Sequence, residues 1–214
     1  MGGKSDKRVV IVGAGGHGKV VASVIESTGK YHIVGFVDVM EKVGEVVRGY
    51  KVIGTDDDLP YIYKDGVNFA AVGIGSVGDV SLRKRVYERL KSIGFVLPAI
   101  VSNYAFVDST VTIGEGSVIV HGAVIQPDVK IDKMAIINTK ASVDHDCIIG
   151  DFTHVAPGTT LSGNVILETE VHIGTGAKLI QGVRIGRKTI IGAGAVVVKD
   201  IPSGVIAKGV PARW

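Results

Sequence analysis

An aliphatic residue recurs every six positions through the second half of the chain, from Val107 to Val197. Between these two ends the series contains Ile113, Ile119, Ile125, Ile131, Ile137, Val143, Ile149, Val155, Leu161, Leu167, Ile173, Leu179, Ile185 and Ile191. Four residues after each member comes a mostly small residue that is neither charged nor aromatic, from Val111 to Ile201. A helix repeats every ~3.6 residues and a strand every second residue, so neither explains this period. The hexads predict short strands separated by tight corners, which is the pattern of a parallel β-helix.

The first part of the chain alternates segments of strand and helix character. RVVIVG, HIVGFVD and NFAAVGIG predict buried strands, whereas GKVVASVIES and SLRKRVYERLKS have helical spacing and are followed by glycines that end the helices. This alternation predicts a small parallel sheet with helices on its faces. We therefore expect an α/β domain over residues 1–98, a β-helix over residues 99–203 and a short C-terminal tail over residues 204–214.

The composition limits the classes of function. A net charge of +3 without a basic stripe argues against a nucleic-acid partner. The longest apolar runs are far shorter than the ~20 residues that cross a bilayer, so we expect no membrane segment. Cys147 is the one cysteine, which excludes an internal disulfide, and its place in the small-residue series predicts a packed thiol. The opening residues lack the apolar core of a secretory signal, and we expect a cytoplasmic protein.

A glycine-rich turn, GAGGHG at residues 13–18, follows the first strand and opens the first helix. Glycines let the backbone approach a phosphate, a helix N-terminus attracts negative charge, and Asp38 after the next strand offers a carboxylate to a ribose or a base. Only about 90 residues precede the repeat, too few for a complete dinucleotide domain. A nucleotide or nucleotide-sugar site is the favoured interpretation, and a full NAD site and a purely structural turn are the alternatives.

Four histidines fall within the repeat, namely His121, His145, His154 and His172. His154 and His172 are 18 residues apart and should stack on adjacent coils, whereas His145 and His154 are nine apart and should lie on different faces. Histidines that converge at a subunit contact suit a zinc site, and a histidine beside a carboxylate suits a general base. Asp144 and Asp146 flank His145, and Asp146 reaches its ring only if the backbone bends locally or another subunit intervenes. For His121 and His172 a solvated surface position is the simplest interpretation.

Several segments together resemble a known family. They are GAGGHGKVVASVIE, the strand that ends in Asp38, the hexads, NTKASVDHDCIIGDFTHVAPG and the closing GVPAR. They are similar to the bacterial nucleotide-sugar acetyltransferases, which include UDP-4-amino-sugar N-acetyltransferases of the PglD type and the sialic acid O-acetyltransferases called NeuD. The resemblance covers nearly the whole chain and implies a Rossmann-like α/β domain followed by a left-handed parallel β-helix. It also implies acetyl-CoA as co-substrate, a nucleotide sugar as acceptor and a homotrimer with active sites between neighbouring subunits.

The resemblance assigns roles to individual residues. His145 matches the general base, Asp146 the acid that tunes it, and Asn138 a sugar contact. The residues that match contacts to acetyl-CoA are His154, at the acetyl group, and Gly163, Thr175 and Ala193, along the pantetheine channel. The residues that match the nucleotide pocket are Gly15, Gly16, His17, Asp38 and Gly75. Two departures stand out, because Val39 follows Asp38 where PglD-type enzymes often have a second acid, and Asp146 is a methylene shorter than a glutamate.

These matches predict that His145 removes a proton as a sugar amine attacks the thioester of acetyl-CoA. A backbone N–H along the prism, or His154, then stabilises the oxyanion. Within the family, O-acetylation of sialic acid or another sugar is the alternative, and amino sugars linked to other nucleotides, such as GDP-perosamine, compete with UDP-linked ones. Outside the family, the alternatives are a zinc-dependent β-helix enzyme, a non-catalytic binding scaffold and a nicotinamide-dependent oxidoreductase.

Overall fold

The computed structural model describes residues 7–214, so residues 1–6 of the predicted N-terminal domain lie outside the described residues. The chain separates into two compact units. The first unit comprises residues 7–76 together with 81–98, and the second comprises 77–80 together with 99–214. Within residues 7–214, no helix combines the length and the apolar character needed to cross a membrane.

The first unit is a five-stranded sheet with α-helices packed on it. Its strands are β1 (Arg8–Val12), β2 (His32–Val37), β3 (Val46–Val47), β4 (Tyr50–Gly54) and β5 (Phe69–Val72), and its helices are α1 (Gly16–Thr28), α2 (Leu59–Lys64) and α3 (Ser81–Ile93). The strand order is β3-β4-β2-β1-β5, with β3 antiparallel to β4 and the other pairs parallel. The three strands and two helices expected from the sequence are present. The sequence patterns do not predict β3, β4 or α2.

The order in which strands are added to the sheet reverses at β1. Strands β2 and β4 lie on one side of β1, and β5, which comes later in the chain, lies on the other side. The carboxyl ends of β1 and β5 therefore form a topological switch point. The backbone is tightly packed there, because a Cβ added to Gly18 or to Gly73 would overlap the carbonyl oxygen of Gly13. Glycine therefore allows α1 and β5 to approach the end of β1.

The second unit is a left-handed parallel β-helix of two-residue strands, which form three faces. Face A contains β6 (Ile100–Val101), β9 (Val118–Ile119), β12 (Ile136–Ile137), β15 (His154–Val155), β18 (His172–Ile173), β21 (Ile190–Ile191) and β23 (Ile206–Ala207). Face B contains β7 (Phe106–Val107), β10 (Val124–Ile125), β13 (Ser142–Val143), β16 (Thr160–Leu161), β19 (Lys178–Leu179) and β22 (Val196–Val197). Face C contains β8 (Thr112–Ile113), β11 (Lys130–Ile131), β14 (Ile148–Ile149), β17 (Ile166–Leu167) and β20 (Arg184–Ile185). The β-helix predicted from the hexads is confirmed.

Both residue series of the hexad point into the prism and form its core. The aliphatic member is the second residue of each strand, and residues such as Ile137 and Leu167 are fully buried. The small-residue series is buried as well, and its polar groups donate to backbone carbonyls. Thr153 Oγ1 donates to Glu168 O at 3.1 Å, and Cys147 Sγ to Ser162 O at 3.2 Å. Cys147 is the packed thiol that its position predicts, and burial raises its pKa to about 11.

The corners between faces B and C turn on residues in the left-handed conformation. Asp128, Asp146 and Asn164 occupy equivalent places on successive coils, with φ of 61°, 59° and 58°. Asp and Asn are the side chains that tolerate this conformation best after glycine. A left-handed residue breaks the strand alternation, so its side chain is free to turn toward the residue before it.

Candidate active site

His145 and Asp146 form a hydrogen-bonded pair at the corner between faces B and C. Nδ1 of His145 lies 2.7 Å from Oδ2 of Asp146, and the backbone N–H of His145 donates to Oδ1 of Asp144 at 2.9 Å. The sequence leaves open which acid supports His145. In the structure, Asp146 is hydrogen-bonded to the ring of His145 and Asp144 to its backbone N–H. The contact between sequence neighbours is possible because Asp146 is left-handed, which is the local bend that the pairing requires.

This pairing fixes how His145 presents its two ring nitrogens. An ionised carboxylate only accepts hydrogen bonds, so Nδ1 carries a proton and Nε2 is the basic nitrogen of the neutral ring. The hydrogen bond to Asp146 is the main cause that raises the pKa of His145, and the charges of Asp144 and Asp146 add to it. The side chains of His145 and Asp146 are 48% and 52% exposed, so the pair is open to a substrate.

Gly163 lies at the same corner one coil further along. The N–H of Asn164 donates to the carbonyl of His145 at 2.9 Å and holds the two corners in register. Gly163 is buried, and the imidazole of His145 lies against it. Among residues 7–214, the N–H of Gly163 has no hydrogen-bond acceptor. The corner therefore presents a backbone donor beside the His145 ring.

A second polar cluster involves face A and the corner between faces A and B. Nδ2 of Asn138 donates to Nε2 of His154 at 3.0 Å, and Oδ1 of Asn138 accepts the N–H of Thr139 at 2.8 Å. His154 pairs with His172 on the next strand, and their ring centroids are 5.0 Å apart, so the predicted stacking is confirmed. The surface position expected for His172 is wrong, because its residue is 7% exposed and burial lowers its pKa.

His121 lies elsewhere in the prism and is half-buried. Its Nδ1 is 2.6 Å from Oγ of Ser102, and its ring contacts the edge of Tyr104 with centroids 5.6 Å apart. Both partners belong to the segment around β6 and β7 at the start of the β-helix. These contacts give His121 a local structural role in the first coil.

The two polar clusters are separate within one chain. His145 lies at the corner between faces B and C and His154 on face A, as their nine-residue spacing predicts. Thr175 and Ala193 are exposed corner residues that follow β18 and β21, on the two coils after His154. In the part of the chain that the structure describes, no three His, Cys, Asp or Glu side chains are placed to hold a metal ion.

A cleft of about 490 Å³ lies at the carboxyl ends of the strands in the first unit. Its lining residues end or follow strands β1, β2, β4 and β5 or lie on α3, and they are Val12, Gly13, Val37, Asp38, Val39, Met40, Glu41, Thr55, Asp56, Asp57, Ile74, Leu82 and Val86. Helix α1 begins beside the end of β1, and it has neither a side-chain cap nor an acid in its first turn. Its first N–H groups suit the negative charge of a phosphate.

Asp38 organises the glycine-rich turn. Oδ2 accepts the N–H of Ala14 at 2.6 Å and Nζ of Lys42 at 3.1 Å, and Oδ1 accepts the N–H of Val39 at 2.8 Å. Burial raises the pKa of Asp38, but these hydrogen bonds outweigh burial, and the pKa lies below its ordinary value. A carboxylate has about four acceptor sites, so about one remains for a ligand. Asp38 therefore fixes the turn as well as lining the cleft.

Asp38 is the predicted nucleotide-pocket residue that lines the cleft. Gly15, Gly16, His17 and Gly75 lie outside its lining, although their neighbours Gly13 and Ile74 belong to it. A Cβ added to Gly75 would lie 3.4 Å from Cβ of His17, so the two glycine turns meet at His17. Contacts between these four residues and a nucleotide stay a prediction.

Four polar lining residues were not singled out from the sequence, namely Glu41, Thr55, Asp56 and Asp57. Glu41 lies in a short 3-10 helix after β2 (Met40–Lys42), and the other three follow β4. The acidic run GTDDD is the sequence signal for the three residues after β4. It points to the cleft only once YKVIG is assigned as a strand, because the carboxyl end of that strand then lies beside those of β1 and β2.

Comparison with known proteins places these features in a family. The family model of the PglD N-terminal domain matches residues 8–90. The GDP-perosamine N-acetyltransferase of Escherichia coli O157:H7 is 33% identical over 163 residues, which cover 72% of this chain and 70% of that protein. The crystal structure of PerB from Caulobacter crescentus in complex with CoA and GDP-perosamine is 40% identical, with a TM-score of 0.89 and coverage of 96% of this chain and 95% of that chain.

A further solved structure is similar over its whole length. The acetyltransferase domain of PglB from Neisseria gonorrhoeae FA1090, in complex with acetyl coenzyme A, is 37% identical with a TM-score of 0.88. The similarity covers 98% of this chain and 99% of that domain, so both units are shared. The chain therefore belongs to the PglD-type nucleotide-sugar N-acetyltransferases, the family that its sequence resembles.

Proposed function

We propose that this protein transfers the acetyl group of acetyl-CoA to the amino group of a nucleotide-linked sugar, with His145 as the general base. The observation that carries the proposal is the His145–Asp146 pair. A half-exposed imidazole with a free Nε2 and a raised pKa is suited to accept a proton from an amine nucleophile. The Escherichia coli relative is a GDP-perosamine N-acetyltransferase, and the Caulobacter crescentus structure contains CoA and GDP-perosamine, so both relatives support the same chemistry.

The proposed reaction begins when the sugar amine attacks the thioester carbonyl, which forms a C–N bond. Nε2 of His145 accepts the proton that the amine loses, and Asp146 stabilises the resulting imidazolium. The tetrahedral intermediate then collapses, the C–S bond breaks, and His145 returns the proton to the departing sulfur. The products are an acetamido sugar and CoA with a free thiol, so protons and electrons balance without another reactant.

A hydrogen-bond donor is needed where the thioester oxygen becomes negatively charged. The N–H of Gly163 is the first candidate, because it lies beside the His145 ring and has no acceptor among residues 7–214. One such donor typically contributes ~3 kcal/mol to the barrier. His154 is the second candidate, and its tie to Asn138 holds its ring in one orientation. Thr175 and Ala193 would line the pantetheine channel on the following coils.

The cleft of the first unit is the proposed nucleotide site. The N-terminus of α1 would accept the phosphates, with Gly15, Gly16 and His17 at the start of the helix and Gly75 on the neighbouring turn. The GDP-perosamine named for two relatives favours a GDP-linked amino sugar over the UDP-linked one that the resemblance implies. The carboxylates of the cleft support this choice, because guanine presents neighbouring N–H donors.

A homotrimer would complete the active site. His145 and the Asn138–His154 cluster lie on different parts of one prism, so a second copy is needed to bring them together. Phe106 and Ile148 are the outward residues of β7 and β14, on the two faces that meet at the His145 corner, and they are 55% and 39% exposed. Exposed apolar side chains on the two faces that meet at this corner favour burial against a symmetry-related chain.

Thiol release from acetyl-CoA tests the activity. GDP-, UDP- and CMP-linked amino sugars would be compared with the corresponding hydroxy sugars, and His145→Ala would be the variant without the base. We expect release only with an amine acceptor, and most with the GDP-linked sugar. Release with hydroxy sugars alone would assign O-acetylation, and no release with any acceptor would reject the proposal.

Mixed trimers test whether two chains share a site. His145→Ala and His154→Ala chains would be dissociated, combined in equal amounts and reassembled. If each site takes the two histidines from different chains, about a quarter of the sites regain both. Recovery near that fraction of the wild-type rate is expected. Recovery no greater than that of the separate variants would contradict the shared site.

A further inference from the structure

We propose that Gly163 is a positioning residue for the imidazole of His145. Because Gly163 has no side chain, it leaves a space against its Cα, here called the seat, that the imidazole occupies. The inference rests on the proposed role of His145 as the general base. It goes beyond that role, because it identifies what holds the ring in place and assigns a function to the Cα of Gly163 rather than to its N–H.

The space above Gly163 is filled by the reactive end of the imidazole. A Cβ added to Gly163 would lie 2.6 Å from both Cε1 and Nε2 of His145 and 3.1 Å from Nδ1. Nonbonded heavy atoms normally stay more than about 3.4 Å from a methyl carbon. A methyl group at Gly163 would therefore occupy the place of the N–C–N end of the ring, which carries both the proton acceptor and the contact to Asp146.

The coil itself does not require glycine at this place. The backbone of Gly163 is not in the left-handed region, unlike that of Asn164 after it, so an alanine has no backbone strain to overcome. The equivalent corner positions of the other coils carry side chains, namely Ser109, Pro127, His145, Gln181 and Lys199. The contact with His145 is thus the feature that distinguishes position 163.

The ring, and not the backbone, is the part that yields to a larger residue. The His145 side chain is 48% exposed and rotates about its own bonds, whereas Gly163 is held in register by the bond between Asn164 N–H and His145 O. Rotation of the ring would move Nε2 away from the amine and separate Nδ1 from Asp146. The charged groups that act on the ring are Asp146, at Nδ1, and Asp144 beside it.

Gly163→Ala tests the inference in the full-length enzyme. We expect kcat to fall by about 10²-fold, the effect of misplacing a catalytic group by an ångström, with unchanged KM for both substrates. The thermal midpoint should stay near that of the wild type. The acid limb of the kcat profile should move to lower pH, because the ring loses the hydrogen bond to Asp146 that raises its pKa. Ser109→Ala, at the equivalent corner three coils earlier, is the matched control and should retain wild-type kcat.

The double variant His145→Ala/Gly163→Ala distinguishes a role of Gly163 in holding the ring from a role in binding acetyl-CoA. In His145→Ala there is no ring to displace, so adding Gly163→Ala should lower the residual rate by far less than the ~10²-fold expected in the wild-type background. An equal further loss in the double variant, or a raised KM for acetyl-CoA in Gly163→Ala, would show that Gly163 acts through the acetyl-CoA channel and would overturn the inference. A wild-type kcat and pH profile in Gly163→Ala would also overturn it.

An NMR titration of His145 gives a readout that does not depend on activity. We expect a lower His145 pKa in Gly163→Ala than in the wild type, and an equal pKa in the two proteins would contradict the inference. This measurement distinguishes the two proposals. If the wild-type protein released no thiol with any acceptor, the proposed function would fail, while the titration would still test whether Gly163 seats the ring.

Discussion

Replacing Asp146 with Asn tests how the corner between faces B and C prepares His145 for proton transfer. The substitution keeps the size of the side chain and removes its charge. In the wild type, Oδ2 of Asp146 accepts the Nδ1 proton at 2.7 Å and leaves Nε2 free. An Asn side chain either accepts the same proton through its oxygen or turns its NH₂ group toward Nδ1. The second arrangement requires the proton on Nε2, which is then unable to accept one from the substrate.

The exposure of the pair sets the size of the expected effect. Removing the charge of a fully buried carboxylate that orients a catalytic histidine lowers kcat by about 10⁴-fold. Mutation of partners that hold a functional histidine from the outer shell lowers activity by about 10- to 100-fold. His145 and Asp146 are 48% and 52% exposed, so water competes for both partners and screens the charge. We therefore expect Asp146→Asn to lower kcat by about 10- to 100-fold, with little change in KM.

The pH profile provides a second, independent readout. A general base acts when it is deprotonated, so kcat rises with pH through the pKa of His145. The hydrogen bond to Asp146 is the largest contribution that raises this pKa, and its weakening shifts the rise to lower pH. The assay is steady-state thiol release at saturating substrates from about pH 5 to 9, a range that brackets the ordinary histidine value.

Asp144→Asn is the matched control for this prediction. Asp144 flanks His145 on the other side but bonds only its backbone N–H, so we expect a smaller loss of kcat and a smaller pH shift. If Asp146→Asn kept the wild-type kcat at the high-pH plateau of the profile, Asp146 would have no part in preparing His145. A larger loss in Asp144→Asn than in Asp146→Asn would refute the assignment of Asp146 as the partner of the ring.

Three further variants test other parts of the account. His145→Ala should lose about 10²- to 10⁴-fold in kcat while size-exclusion chromatography still gives the elution volume of the wild type, and an active variant would reject His145 as the base. Asp38→Ala leaves the N–H of Ala14 without its acceptor, so calorimetry should show ~1–3 kcal/mol less stability and kinetics a raised KM for the nucleotide sugar. Folding lowers the pKa of Asp38, so ionised Asp38 stabilises the folded protein above its unfolded pKa of about 4, and this stabilisation is lost as the pH falls. The difference in stability between the wild type and Asp38→Ala should therefore shrink in acid. His172→Ile replaces a buried ring whose Nδ1 has no partner within residues 7–214, so the thermal midpoint should rise, and a lower midpoint would contradict this reading of His172.

The β-helix and the placement of its histidines follow from the sequence because both depend on a strict period. Each hexad advances the chain by one face, so the spacing of His145, His154 and His172 determines that the last two stack and the first lies elsewhere. The burial of His172 does not follow, since the period gives the face of a residue but not what covers that face.

The pairing of His145 with Asp146 does not follow from the sequence and required the structure. Strand alternation alone would point Asp146 away from His145, and the left-handed conformation of Asp146 reverses this. The contact between Gly163 and the ring depends on the side-chain orientation that Asp146 imposes, which no sequence period encodes. The sequence does not predict the acidic residues that follow β4 and line the cleft, for a different reason. Strand β4 lies next to the edge of the sheet, and its pattern, YKVIG, is short and partly polar.

The identity of the product formed from acetyl-CoA and a GDP-linked amino sugar tests the proposed activity most directly. Mass spectrometry and NMR would be applied to reactions with the wild-type protein and with folded His145→Ala. We expect the wild type to add one acetyl group to the sugar nitrogen with one equivalent of thiol released, and His145→Ala to form almost none of this product. Acetylation at an oxygen, thiol release without an acetylated sugar, or an equal rate in His145→Ala would contradict this expectation.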